Sequence, residues 1–347
     1  MPRFVMLLTV VAFVLTGCAA GTSGTAPTGG GSPPPAATIE PAATPALCHT
    51  NRNPKPAPTG ALITTAIDLG CEAGGVAVAG GSVWVVPHLD RYALRIDPLT
   101  NAVSQVISLG NRGPGAEIAA NDEMVWASVS TPSFDYERLV RIDPVTAAVV
   151  AQVKVKGGFP VIGAGFVWAS GPGGVSRIDP RTNEIAGTIV LRDCGVVVLG
   201  DRVFCVGREV IEIDPRSDKG TSVPGAPGGF PVEADGGLIW GVNDDSLWAF
   251  EPGTGKVKAR LAPPTGAMAW SLDAVVLDGA LWATATTSEG APNRLVRIDR
   301  SKMAIDCVLE IPTAEFGIAA GLGAIWAPVL RQPYVVRVKP ACQAGAG

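Results

Sequence analysis

The sequence predicts an all-β protein, a seven-bladed β-propeller built of four-stranded antiparallel blades. A large aromatic residue recurs in short apolar runs at intervals of roughly 36 to 44 residues. Each aromatic is followed 10 to 17 residues later by Arg-Ile-Asp-Pro or a shortened form of it. Repeats of this length, in which Gly, Asp and Pro separate short β-rich runs, are typical of propeller blades. The seven aromatic positions are Trp84, Trp126, Trp168, Phe204, Trp240, Trp282 and Trp326.

The second signature predicts the turn between the third and fourth strands of a blade. Its proline cannot donate to a β-ladder, and its aspartate can accept backbone N–H bonds within the turn. A calcium site is the alternative reading, but each blade supplies a single carboxylate here and the blades hold these carboxylates apart. We therefore predict no metal site. The aspartates are Asp97, Asp143, Asp179, Asp214 and Asp299.

One complete repeat predicts four strands. In the first blade they are Val76–Val78, Ser82–Val86, Ala93–Asp97 and Val103–Leu109. The aromatic at the same point of each second strand is expected to fill the wedge between adjacent sheets.

The two ends of the repeat region predict how the ring closes. After Trp326 the chain provides a third strand, Tyr334–Lys339, and no fourth. The segment Leu62–Gly70 matches Ala102–Gly110 in character and in its Leu-Gly ending. We therefore expect an N-terminal strand to complete the last blade, which removes an exposed sheet edge.

The N-terminus resembles a bacterial lipoprotein signal peptide over residues 1–17. Arg3 precedes the apolar run Phe4–Leu15, and Thr16 and Gly17 precede Cys18. This pattern predicts a lipidated Cys18 that anchors the chain, through palmitate-type acyl groups, to the extracytoplasmic face of the cell membrane. An ordinary secretory signal with an accidental cysteine is the alternative.

Composition predicts the remaining boundaries. Residues 18–60 are rich in Ala, Gly, Thr and Pro, which predicts a disordered tether after the lipidated cysteine. The propeller is expected over residues 61–342, followed by a disordered tail at 343–347. The net charge of −4 offers no basic surface of the kind that nucleic acid requires.

Six cysteines besides Cys18 predict disulfides in an exported protein. Cys194 and Cys205 flank a turn in the fourth blade and are expected to pair. Cys48 and Cys342 lie near the two ends of the propeller, so a disulfide between them would join the two ends of the ring. Cys71 and Cys307 remain by subtraction, although the blade arrangement does not bring them together.

Residues that break the repeat are the better candidates for function. Blades two and six have longer spacings between their two signatures, which predicts extended loops at Ser128–Arg138 and Thr284–Arg294. Shorter loops at His88–Tyr92 and Leu330–Tyr334 should lie on the same face. Tolerated insertion is the alternative explanation for the longer loops. The predicted ligand-binding residues are His88, Asp90, Arg91, Tyr92, Asp135, Tyr136, Arg138, Glu289, Asn293, Arg294, Arg331 and Tyr334.

Catalytic motifs are sparse. The sequence has two histidines. His49 lies toward the tether, and His88 with Asp90 resembles only part of a catalytic acid–base pair. The sequence has no nucleophile elbow, phosphate loop, zinc-ligand cluster or dinucleotide fingerprint. No catalytic residue and no cofactor is predicted.

The Val-Trp-Val run, the following Arg-Ile-Asp-Pro-x-Thr and the strand ending in Leu-Gly resemble the YncE and virginiamycin B lyase-like group of seven-bladed propellers. The resemblance covers nearly all of Ala61–Lys339. Lyases of that group need a catalytic histidine and acidic metal ligands, and this sequence has no histidine beyond His88, so lyase activity is not carried over. Related NHL-type propellers serve as extracytoplasmic sensors or binding platforms.

These observations predict a lipid-anchored binding platform for an extracytoplasmic protein, peptide or cell-wall glycan. The alternative is a lyase- or hydrolase-type enzyme that uses the central funnel of the propeller.

Overall fold

The computed structural model describes residues 56–88, 90–110, 117–131, 136–191, 193–288, 291–312 and 317–342. Within them, 28 strands form seven four-stranded antiparallel sheets, which confirms the predicted propeller. The predicted signal peptide, Cys18, Cys48, nearly all of the tether and the tail at 343–347 lie outside the described residues. No helix in these ranges has the length and apolar character needed to cross a membrane.

Blades one to four follow one another along the chain, each with its strands in sequence order from the inner to the outer edge of the sheet. Blade one comprises β2 (Gly75–Ala79), β3 (Ser82–Val86), β4 (Tyr92–Asp97) and β5 (Ala102–Ser108). Blade two comprises β6 (Ile118–Asn121), β7 (Met124–Ser130), β8 (Tyr136–Ile142) and β9 (Val149–Lys154). Blade three comprises β10 (Phe159–Gly163), β11 (Phe166–Gly171), β12 (Gly174–Asp179) and β13 (Glu184–Ile189), and blade four comprises β14 (Gly195–Leu199), β15 (Arg202–Val206), β16 (Val210–Asp214) and β17 (Lys219–Ser222).

Blades five and six repeat this order, and blade seven takes its outer strand from the N-terminal side of the chain. Blade five comprises β18 (Phe230–Asp235), β19 (Leu238–Val242), β20 (Leu247–Glu251) and β21 (Lys256–Leu261); blade six comprises β22 (Ala269–Leu277), β23 (Ala280–Thr286), β24 (Asn293–Asp299) and β25 (Ala304–Ile311); blade seven comprises β26 (Ala319–Gly321), β27 (Ala324–Pro328), β28 (Tyr334–Val338) and β1 (Ile63–Asp68).

The ring closes as the sequence predicts. Strand β1 pairs antiparallel with β28, so that Ile67 faces Val335 and Asp68 faces Tyr334. The Lys339 N–H also donates to the Leu62 carbonyl at 3.0 Å. Blade seven is thus made from both ends of the propeller.

The repeated aromatic residues hold neighbouring blades together, as expected. Trp84 of blade one packs with Val125 and Val140 of blade two. Trp326 of blade seven packs in the same way with Val76 and Val83 of blade one. Each seam around the ring contains one such aromatic, and burial of these large rings is a major stabilising contribution.

The arginine of the Arg-Ile-Asp-Pro signature has a role that the sequence analysis missed. Arg95 lies opposite Trp84 in the sheet, stacks on its ring at 5.5 Å and donates to the Val145 carbonyl of blade two at 3.2 Å. Arg337 stacks on Trp326 and reaches the Pro98 carbonyl of blade one at 3.0 Å. The arginine of the signature therefore joins each of these two blades to a turn of the next blade through a hydrogen bond.

The aspartate of the signature acts in the turn, as predicted. The Asp97 carboxylate accepts from the Leu99 N–H at 2.7 Å, and Asp143 accepts from the Val145 N–H at 2.9 Å. Asn101 then takes a positive φ of 54° to reverse the chain. These contacts give the recurrent aspartate a structural role in the turn.

The disulfides confirm one predicted pair and correct the others. Cys194 and Cys205 are bonded across blade four, with their Cα atoms 5.5 Å apart. The predicted bond between Cys48 and Cys342 is wrong, because Cys342 is bonded to Cys307. Strand β25 carries Cys307 on the outer edge of blade six, where it meets the segment that follows β28. Cys71 is also disulfide-bonded, and its partner lies outside the described residues.

Candidate functional site

The antiparallel order of the strands gives the ring two distinct faces. The loops between second and third strands, and the connections from one blade to the next, lie on what we call the loop face. The tight turns lie on the opposite, turn face. The inner strands of the seven blades contact their neighbours around the ring and surround the central channel.

One set of equivalent positions lies toward the loop-face end of the inner strands, at the opening of the channel. In blade six this position lies inside β22, because that strand begins earlier, at Ala269. Each of these residues lies beside a residue of the second strand of its blade, namely the one two positions after the repeat aromatic. For example, Gly75 lies opposite Val86, and Phe159 lies opposite Ser170. We call this set the mouth ring. In blade order it consists of Gly75, Glu117, Phe159, Gly195, Phe230, Asp273 and Gly317.

The two acidic members of the mouth ring are held by matching contacts. The Glu117 N–H donates to the Ser128 hydroxyl at 3.0 Å, and the Ser128 N–H donates to the Glu117 carbonyl at 2.9 Å. In blade six, a bulge in β22 brings Asp273 beside Thr284, whose hydroxyl donates to the Asp273 carbonyl at 3.4 Å. Ser128 and Thr284 occupy the same repeat position.

The Asp273 carboxylate affects the pKa of Glu117 across the channel. Burial raises the pKa of Glu117 to about 7, with repulsion from Asp273 as the second cause. Burial also raises the pKa of Asp273 to about 6, although a hydrogen bond from the Gly317 N–H opposes this shift. Their strands belong to blades two and six, which are not neighbours, so the interaction passes through the mouth of the channel.

Both side chains keep some contact with water, although protein surrounds them on most sides. The protein around each carboxylate replaces part of its hydration, which disfavours the ionised form. Within the described part of the chain, neither carboxylate forms an ion pair.

The opposite side of the mouth ring is aromatic. The rings of Phe159 and Phe230 meet edge to face with centroids 6.4 Å apart, although blade four lies between their blades. They meet above Gly195, where an added Cβ would lie 3.1 Å from the Phe230 ring. Phe159 remains 36% exposed.

A third carboxylate lies deeper in the channel. Glu233 stands opposite Trp240 in blade five, at a position occupied by alanine or valine in the other blades. Its carboxylate accepts from the Ala234 N–H at 2.8 Å, and burial raises its pKa.

The predicted loop residues that the structure describes lie on the loop face of blades six, seven, one and two. We call this part of the loop face the arc. The His88 N–H donates to the Glu72 carbonyl at 3.0 Å, and the Ala73 N–H donates to the Gln332 carbonyl at 2.9 Å. The loops of blades one and seven are therefore joined through the connection that leads into blade one. Asp273, Gly317, Gly75 and Glu117 lie in the same arc.

The predicted long loops are shorter than expected, because the extra residues lengthen the strands. Strands β7 and β8 continue to a pairing between Ser130 and Tyr136, and β23 and β24 include a pairing between Ala285 and Arg294. Blades two and six consequently have 7-residue second and third strands, where blade four has 5-residue strands. The extra residues extend β-hairpins rather than loops.

Two of the predicted binding arginines make structural contacts. Arg138 donates to the Leu109 carbonyl of blade one at 2.9 Å and pairs with Glu137 at 3.0 Å. Arg294 pairs with Glu310 on the neighbouring strand of its own blade. Both side chains are already engaged, so their availability to a ligand is reduced.

The other predicted residues divide by exposure. Asp90, Tyr92, Asn293 and Tyr334 are buried, and His88 is half-buried with a pKa lowered chiefly by burial. Arg91 and Arg331 are exposed, and Arg91 donates to the Tyr92 hydroxyl at 3.1 Å. Asp135, Glu289 and the side chain of Tyr136 lie outside the described residues.

No protein-family model and no curated protein matches this chain. Among solved structures, it is similar to a chain in the crystal structure of a mitotic checkpoint complex, with a TM-score of 0.61 and 11% identity. The alignment covers 84% of this chain and 96% of that chain. At this identity the likeness shows the fold alone, and it supports the β-propeller. The resemblance to the YncE and virginiamycin B lyase-like group stays a prediction.

The mouth ring could have been found from the sequence by aligning the repeats on their aromatic residues. Nine positions before the aromatic, three blades have glycine, whereas blade two has Glu117 and blade six has Asp273. Phe230 could not have been assigned in this way, because a bulge near Pro231 shifts the register of β18 by one residue.

Proposed function

We propose that this protein is a lipid-anchored extracytoplasmic β-propeller that binds a protein, peptide or cell-wall ligand at the channel mouth. The observation that carries the proposal is the coincidence of two irregularities in one arc. Blades two and six have the extended hairpins, and the same two blades place Glu117 and Asp273 in the mouth ring. Irregularities that a scaffold does not need are expected at binding sites.

The lipid anchor at Cys18 and the extracytoplasmic location rest on the signal-like N-terminus. Disulfide bonds within the propeller support an oxidising compartment. The resemblance to the YncE and virginiamycin B lyase-like group is consistent with export but does not identify a ligand.

Cross-linking in intact cells tests the binding proposal. The full-length protein is compared with a variant whose hairpins in blades two and six are shortened to the length of blade four. A matched control replaces the exposed Asp244 and Asp245 of blade five with alanine, on the other half of the loop face. We expect a specific partner that is captured by the wild type and the control but lost on shortening. Equal capture by the shortened variant contradicts the proposal.

An enzyme that uses the channel is the second candidate, and the pKa values of Glu117 and Asp273 favour it. Carboxyl groups with pKa values of about 7 and 6 can exchange protons near neutral pH, as general acids and bases must. If the protein turns over a cell-wall substrate, Glu117→Gln should abolish turnover while leaving the fold intact. Retained turnover in this variant removes Glu117 from a catalytic role.

A further inference from the structure

We propose that the mouth ring binds a basic side chain, lysine or arginine, presented by a polypeptide. This inference rests on the proposed function and specifies its ligand. It is carried by the arrangement of three kinds of residue in one ring: two carboxylates, two glycines between them and a pair of phenylalanines facing them.

The two carboxylates lack a cationic partner in the described part of the chain. No ion pair in these residues engages the Glu117 carboxylate, although its side chain is partly buried. An enclosed charged group without a partner is costly, and a bound cation would remove that cost. Among the residues that the structure describes, the Gly317 N–H donates to the Asp273 carboxylate.

Glycine occupies the two ring positions between the carboxylates. Blades seven and one separate Asp273 from Glu117, and at the same level these blades have Gly317 and Gly75. A Cβ added to Gly317 would meet the Asp273 Oδ1 atom at 3.6 Å, with no other heavy atom outside its chain neighbours within 4 Å. Blades seven and one therefore contribute no ring side chain between the two carboxylates.

The chemistry favours an organic cation over a metal ion. No group of three or more His, Cys, Asp or Glu residues in the described ranges is close enough to hold a metal. Calcium takes six to eight oxygen ligands, and the mouth ring offers two carboxylates. An ammonium or guanidinium group needs fewer partners, because each of its N–H groups forms a separate hydrogen bond.

The aromatic side of the ring suits the rest of such a side chain. Phe159 and Phe230 form an apolar wall, and Phe159 is partly exposed. Lysine and arginine have aliphatic stems that pack on apolar surfaces, and their charged ends are attracted to aromatic faces. Leu272, next to Asp273, adds an exposed apolar side chain where neighbouring residues of a peptide would lie.

Binding of short peptides to the purified full-length protein tests this inference. The probes are fluorescent, blocked pentapeptides Ala-Phe-X-Phe-Ala in which X is lysine, arginine, norleucine or glutamate, followed by fluorescence anisotropy at pH 8. We expect the lysine or arginine peptide to bind at least about 10-fold more tightly than the norleucine peptide. The glutamate peptide should bind most weakly of all.

Variants assign the binding to the mouth ring. The Glu117→Gln/Asp273→Asn double variant should lose this preference for the basic peptide, and the Asp244→Asn/Asp245→Asn control should retain it. Thermal unfolding of each variant establishes that it is folded. Equal binding of the lysine and norleucine peptides, a preference that survives in the double variant, or no binding of any peptide overturns the inference.

The two proposals fail in different ways. If the basic side chain has no advantage but a partner is still lost when the hairpins are shortened, the binding platform stands and the ligand class is wrong. If the hairpins are also irrelevant to capture, the proposed function falls as well.

Discussion

Glu117 and Asp273 interact electrostatically across the central channel, although two blades separate their strands. Burial is the main cause of the raised pKa of Glu117, and repulsion from the Asp273 carboxylate adds to it; burial alone raises the pKa of Asp273. Such a pair opposes folding at neutral pH rather than supporting it. Its position at the mouth of the channel is therefore better explained by a ligand than by the scaffold.

The first prediction concerns how stability depends on pH. Because the folded protein raises the pKa of Glu117 from 4.5 to about 7, protonation favours the folded state. This contribution is fully present below pH 4.5 and is lost as the pH rises to about 7. Glu117→Gln should therefore be more stable than the wild type at pH 8, by about 1 to 3 kcal/mol, and nearly equal to it at pH 4.

Chemical denaturation at both pH values measures this difference. Glu123→Gln is the matched control, because Glu123 is exposed in a turn of the same blade. The control should follow the wild type at both pH values. A Glu117→Gln variant that is less stable than the wild type at pH 8 would show that the carboxylate has a stabilising partner.

The second prediction concerns the arginines that join neighbouring blades. Arg337→Ala removes the stacking on Trp326 and the hydrogen bond to the Pro98 carbonyl, at the seam where the ring closes. We expect a loss of about 2 kcal/mol in the free energy of unfolding, from the lost packing and the unsatisfied carbonyl. Arg181→Ala should cost less than about 0.5 kcal/mol. The Arg181 side chain is 87% exposed and pairs with Asp179 within its own turn.

The third prediction concerns the wedge between blades. Trp168 packs with Val196 and Val203 of blade four and donates from its indole to the Gly163 carbonyl at 3.1 Å. Trp168→Ala should cost about 3 to 5 kcal/mol because it leaves a cavity at the seam. Trp168→Phe should cost about 1 to 2 kcal/mol, since blade four already uses Phe204 at this position. Equal losses from the two substitutions would argue against a space-filling role.

The fourth prediction concerns the disulfides. Mass spectrometry of a non-reduced digest should find Cys307 joined to Cys342 and Cys194 joined to Cys205. Cys342→Ser should lower the free energy of unfolding by about 2 to 4 kcal/mol, because it frees the end of the propeller from blade six. A peptide that joins Cys48 to Cys342 would contradict this pairing.

The fold could be predicted from the sequence because its signals repeat. The aromatic of the second strand and the Asp-Pro turn recur in phase, so that one blade predicts the others. The closing strand β1 was recognisable because its Leu-Gly ending copies that of β5. The role of these arginines could not be predicted, because the hydrogen bond from Arg95 to the Val145 carbonyl joins two blades. The sequence pattern of a strand predicts pairing within one sheet and carries no information on contacts between sheets.

The candidate site was predicted only in part. Spacing indicated that blades two and six depart from the repeat, but length alone could not distinguish a longer loop from a longer hairpin. The predicted binding residues are polar residues near the loops. Several of them serve the scaffold instead, because Asn293 is buried and Arg138 donates a hydrogen bond to a neighbouring blade. The pairing of Cys307 with Cys342 was missed because the outer strand of one blade meets the segment after the last strand only in the closed ring.

Site-specific photo-cross-linking tests the central claim most directly. A photoreactive residue replaces either Leu272 beside Asp273 or Leu99 on the turn face, which are 56% and 90% exposed. Ligand binding at the channel mouth predicts a specific cross-linked product from position 272 alone, and its loss when Glu117→Gln and Asp273→Asn are added. The same product from both positions, or its persistence in the charge-neutral variant, would contradict recognition at the mouth ring.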